Sequence, residues 1–110
     1  MRTIKIRNGH GDWVETTHHP PYDAQPLVVT NEVSPDGNKS RPYTVTHRQT
    51  GCAVSWRATL EEAQKDRTLL LASDFDWTQP LPLPGEPDPN GLIHMAKAAC
   101  AAFLPKGWHR

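Results

Sequence analysis

The hydrophobic and polar positions of this chain change their period partway along. Up to Arg57 they alternate in short runs, and after Thr59 they recur at helical spacing. Ile4 and Ile6 alternate with Lys5 and Arg7, NGHG at 8–11 supplies glycines for a tight turn, and DWVETT at 12–17 returns as a partner strand. The two prolines of HHPPYD, 18–23, must break that strand, because proline cannot donate to a ladder. PLVVTNEV, 26–33, reads as the next strand. SPDGNKS, 34–40, reads as a turn in which Pro35 fixes φ and Gly37 permits a positive φ.

The run from Arg41 to His47 places Tyr43, Val45 and His47 on one face, with Thr44 and Thr46 on the other. RQTG, 48–51, turns the chain with Gly51 at the left-handed position. Cys52, Val54 and Trp56 alternate again, and the simplest pairing puts them on the same core side as Val45. Residues 26–57 therefore predict an antiparallel meander of three strands, which the N-terminal hairpin can extend.

Two helices follow. Thr59 with Glu62 makes a T-x-x-E capping box for a helix over about 60–73, with Leu60, Ala63, Leu70 and Leu71 on its stripe. Arg67 interrupts that stripe and must snorkel or leave the helix half covered. Phe75 and Trp77 are expected to close the core edge. TQPLPLPGEPDPN, 78–90, is a proline-rich connector, and Asp88 with Pro89, or Asn90, starts a second helix over 91–104 that Pro105 stops. Its stripe is Leu92, Met95, Ala96, Ala99, Ala102 and Phe103. The opposite side, with Ala98 and Ala101 beside His94 and Lys97, is also small and weakly polar. A helix apolar nearly all round is covered on more than one side, by the first helix or by a second copy of the chain in a homodimer. The predicted fold is α+β: residues 1–110 as one domain, an antiparallel sheet packed by two helices.

Composition narrows the function classes. Twelve Lys+Arg balance twelve Asp+Glu, which excludes a uniformly acidic nucleic-acid mimic and a uniformly basic coat. No apolar run of secretory or membrane-spanning length occurs, so a cytoplasmic protein with no membrane partner is expected. Two cysteines cannot make a disulfide framework, and Cys52 and Cys100 read as thiols. Eleven prolines are about twice the usual share, but five fall within 80–89 and report on the connector.

Catalytic and cofactor signals are weak. There is no phosphate loop, no G-x-S-x-G and no H-E-x-x-H. His47 and Cys52 flank one turn, and His18 and His19 are adjacent. Their spacing does not bring three or four metal ligands together, and no orienting group stands out for a Cys–His pair. Asp74 and Asp76 in SDFDW read as solvated turn carboxylates. No cofactor, no metal and no enzymatic activity are expected.

Binding is the remaining class. Four tryptophans exceed what one small core hides, and Trp, Tyr and Arg are the residues enriched at interface anchors. Trp13, Tyr22, Arg48, Arg57 and Trp108 are the candidate protein-contact residues. The alternative is a nucleic-acid surface on the outward sheet face, formed by Arg7, Arg41, Thr44, Thr46, Arg48 and Arg57, with Ser55 beside them. The run YTVTHRQTGCAV followed by TLEEAQ resembles hairpin-plus-helix segments of small accessory proteins from phages and mobile elements. That resemblance spans about a third of the chain and implies a protein that binds and blocks a host machine, as anti-CRISPR inhibitors do.

Overall fold

The alternating half of the chain forms five strands in a computed structural model that describes residues 2–8, 10–33 and 40–109. The strands are β1 (Thr3–Arg7), β2 (Trp13–His19), β3 (Leu27–Asn31), β4 (Tyr43–His47) and β5 (Ala53–Arg57). They make one antiparallel sheet in the order β1-β2-β3-β4-β5, followed by α1 (Leu60–Leu71) and α2 (Leu92–Phe103). The predicted α+β architecture is therefore present, with the N-terminal hairpin joined to the meander. Of the turn expected over 34–40, residues 34–39 lie outside the described residues.

Register explains which side chains meet the helices. Leu27 pairs with His47 and Val29 with Val45, so these four share one face. Leu27 and Val45 pack there with Leu70 of α1, Trp77, Ala96 and Cys100 of α2, and Leu104. Burying a Leu or Val side chain this fully contributes about 1.5–3 kcal/mol each. Trp77 closes the core as expected, and its indole Nε1 donates to the Leu70 carbonyl at 3.0 Å. The connector is more than a spacer, because Leu81 packs against the same cluster.

The opposite face holds the first correction. Thr44 and Thr46 were expected to face solvent, yet both are 0% exposed, as is Thr30 between them. The Thr30 hydroxyl lies 2.7 Å from that of Thr44 and 3.1 Å from that of Thr46, so the three satisfy one another. The β1–β2 hairpin pairs with β3 at His18–Thr30 and His19–Val29, and at its other end the Arg7 amide donates to the Gly51 carbonyl at 2.8 Å. The sheet thus curls until its first strand meets the turn before its last.

A second correction concerns β5. A bulge between Val45 and Thr46 makes Ser55 pair with Val45 and Ala53 with Thr46, leaving Val54 as the extra residue. The insertion reverses the alternation. Val54 and Ser55 turn toward the helices, and Trp56 pairs with Thr44 on the other face instead of joining the core side.

Helix ends follow local chemistry. Thr59 Oγ1 accepts the Glu62 amide at 3.2 Å, as the capping box requires. At α2 the N-cap position is Gly91 at φ 67°, and Asp88 reaches forward to accept the amides of Leu92 (2.7 Å) and Ile93 (3.0 Å). The expected α2 stripe is only partly inward. Ala96 and Cys100 are buried, whereas Met95, Ala102 and Phe103 are exposed, because α2 packs beside β5 and α1 with its Cys100 flank inward.

Candidate functional site

The β4–β5 turn brings two of the five predicted contact residues together, Trp13 and Arg48, and Arg48 reaches the loop that carries a third, Tyr22. Gly51 takes φ +71°, and a Cβ placed there would stand 2.6 Å from the Trp13 ring, so the ring lies against this turn. Arg48, in the same turn, donates through Nε to the Gln25 carbonyl at 3.0 Å and through Nη2 to the Asp23 carbonyl at 2.8 Å. That anchors the loop carrying Tyr22. Trp13 is 46% and Tyr22 42% exposed. Each ring carries an arginine: Arg7 lies 4.6 Å from the Trp13 centroid and Arg2 lies 4.3 Å from the Tyr22 centroid. Cations over aromatic faces are attracted by the ring quadrupole, by about 0.5–1 kcal/mol at exposed sites such as these.

Beneath this end sits His18, buried and edge-on to Tyr22 at 5.1 Å between centroids. Its pKa is pushed down by burial first and then by the charges of Arg48, Arg2, His19 and Arg67. Arg67 is buried rather than snorkelling. It donates through Nε to the Leu27 carbonyl at 2.8 Å and pairs with Asp23 through Nη2.

The remaining predicted residues lie elsewhere. Arg57 is 6% exposed, so the expectation that it faces outward is corrected. It pairs with Asp66 and donates to the carbonyls of Pro105 (2.9 Å) and Lys106 (3.0 Å). Arg41 binds the Gly107 and His109 carbonyls, and the Trp108 carbonyl accepts the Trp56 amide at 2.6 Å. Two guanidiniums thus fasten the C-terminal segment along β5, and Trp108 is half-buried there. Thr44 and Thr46 are buried on one face of the sheet and Ser55 and Arg57 on the other, so the residues read as a phosphate-gripping surface do not share one exposed face.

The histidine and cysteine candidates are occupied structurally. His47 is 1% exposed, with Nε2 2.8 Å from the Trp77 carbonyl and Nδ1 2.9 Å from the Thr50 hydroxyl. A carbonyl only accepts, so Nε2 carries the proton and Nδ1 accepts from Thr50. Burial lowers the His47 pKa, and the bond to Trp77 offsets part of that. Neither nitrogen is left to activate Cys52. Cys100 is buried, and burial, then the charge of Asp66, pushes its thiol up to about 12. Asp76 accepts the Thr78 amide at 2.9 Å, a local turn bond. Among the described residues no group of three His, Cys, Asp or Glu converges as a metal site, and no helix is long and apolar enough to cross a membrane.

A cleft of about 860 Å³ opens between β5, the connector, α2 and the C-terminal segment. Sequence reasoning missed it, because its walls come from four segments that no local pattern links. Comparison with protein-family models, curated proteins and solved structures finds no match for this chain.

Proposed function

We propose that this protein is a small non-enzymatic binding module whose partner is another protein, held at the end of the sheet that carries Trp13, Tyr22 and Arg48. One observation carries the reading: Trp13 and Tyr22 are exposed, an arginine lies over each ring, and Arg48, in the turn that Trp13 rests against, holds the backbone of the loop carrying Tyr22. Aromatic and arginine side chains dominate binding energy when preordered, because little rotamer freedom remains to be lost. Arg2, Arg7 and Arg48 suit a partner surface bearing carboxylates. An inhibitor or accessory role toward a larger machine is one use of such a surface, and it rests on the resemblance of residues 43–64 alone.

A photo-crosslinking residue in place of Tyr22 tests the reading. Crosslinks to a protein should form in cells from position 22 and not from Lys65, which is exposed on α1. Equal crosslinking from both positions, or none from position 22, would count against it.

A second contact is favoured by α2, whose Met95 (49%) and Phe103 (41%) are exposed on one side about two turns apart. We assign a homodimer contact to this flank. Light scattering at micromolar concentration should give a dimer mass that Met95→Lys with Phe103→Lys reduces to the monomer mass.

A further inference from the structure

The cleft beside β5 has a chemistry of its own, independent of the contact surface above. Its volume, about 860 Å³, falls in the range of small-molecule sites. Its walls are apolar: Leu81, Ile93 and Trp108 from three segments of the chain, with Trp56 at the margin and Cys100 behind them. None of the described residues lining it is Asp or Glu, whereas Lys97, His94 and His109 all line it. The two ion pairs among the described residues are Arg57–Asp66 and Arg67–Asp23, so Lys97 brings a charge with no carboxylate against it there. This flank of α2 is distinct from the Met95 and Phe103 flank.

An apolar cleft with an exposed ammonium group at its rim favours a ligand of matching form. A cationic ligand would meet repulsion from Lys97. A polyphosphate would leave most of its charge unpaired against apolar walls, which is costly. We propose that this cleft binds a small amphipathic monocarboxylate, aliphatic or aryl, with its apolar body between Leu81, Ile93 and Trp108 and its carboxylate at Lys97. Trp108 in the wall, with Trp56 at the margin of the cleft, then reports occupancy.

Titration of the full chain with sodium decanoate, followed by calorimetry and tryptophan emission, tests this. Saturable binding of one decanoate per chain is expected, with an emission change at the same stoichiometry. Decyltrimethylammonium, of equal chain length and opposite charge, should bind far more weakly. Lys97→Ala should weaken decanoate binding by about tenfold, the scale of one charged hydrogen bond. Lys5→Ala, an exposed lysine on β1, should leave it unchanged. Ala101→Trp, which fills the cleft from an exposed helical position, should abolish binding with the circular dichroism spectrum retained. Absence of saturable decanoate binding, equal binding of the cationic amphiphile, or wild-type affinity in a folded Lys97→Ala or Ala101→Trp protein would each overturn the assignment.

Discussion

Arg57 on β5 and Asp66 on α1 form a two-point ion pair in the interior, Nε to Oδ2 at 2.6 Å and Nη2 to Oδ1 at 3.1 Å. Their side chains are 7% and 2% exposed, so water does not share the charge. The rest of the guanidinium is used on the Pro105 and Lys106 carbonyls. One buried arginine thereby ties sheet, helix and C-terminal segment together. Removing its carboxylate leaves a buried cation unpaired, which costs about 3–5 kcal/mol. Asp66→Ala should lose stability on that scale in urea denaturation, far more than an exposed change such as Glu61→Ala. Equal midpoints for the two variants would contradict the role assigned to the pair.

Gly51 is the point where the hairpin meets the β4–β5 turn. A left-handed φ costs a side chain about 1–2 kcal/mol, and the added Cβ would also stand 2.8 Å from the Arg7 backbone nitrogen. Gly51→Ala should therefore destabilise by at least that amount and alter Trp13 emission. A neutral substitution would mean that the hairpin does not close on the turn.

The buried histidines set a pH dependence. His18 and His47 both have folded pKa values below 6.5, chiefly through burial, so the unfolded chain binds more protons as pH falls past 6.5. Their contribution is fully present above 6.5 and is lost as pH drops toward the folded values. The urea midpoint should fall between about pH 7.5 and pH 5.5, and His18→Phe should flatten part of that slope. A midpoint constant over this window would contradict the buried, neutral state of both rings.

The two thiols should differ in reactivity. Cys100 is 2% exposed with its pKa raised to about 12, whereas Cys52 is only half-buried. Ellman's reagent should titrate one thiol rapidly in the native protein and both after denaturation. Rapid reaction of both native thiols would contradict the packing of α2 on β5.

The sequence showed elements more clearly than faces. Alternation located the strands and turn residues, and the T-x-x-E box located the start of α1. It could not show which side of β5 points inward, because one inserted residue, Val54, reverses the alternation without changing its appearance. Thr44 and Thr46 read as solvent-facing because alternation along one strand does not show that both of its faces are buried. Arg57 read as surface charge and Arg67 as an interruption of the buried stripe, because their partners lie 9 and 44 residues away. Of the predicted contact residues, Trp13 opens β2 beside a turn and Tyr22 sits in the proline break after it, and both are exposed.

The most direct measurement of the central claim is affinity capture from nuclease-treated lysate, with the wild type beside a Trp13→Ala, Tyr22→Ala double variant whose fold is verified by circular dichroism. A protein partner at near-stoichiometric yield on the wild type and missing from the folded variant is the predicted result. A partner retained equally by both proteins, or binding that vanishes with nuclease alone, would contradict the assignment of this surface to protein contact.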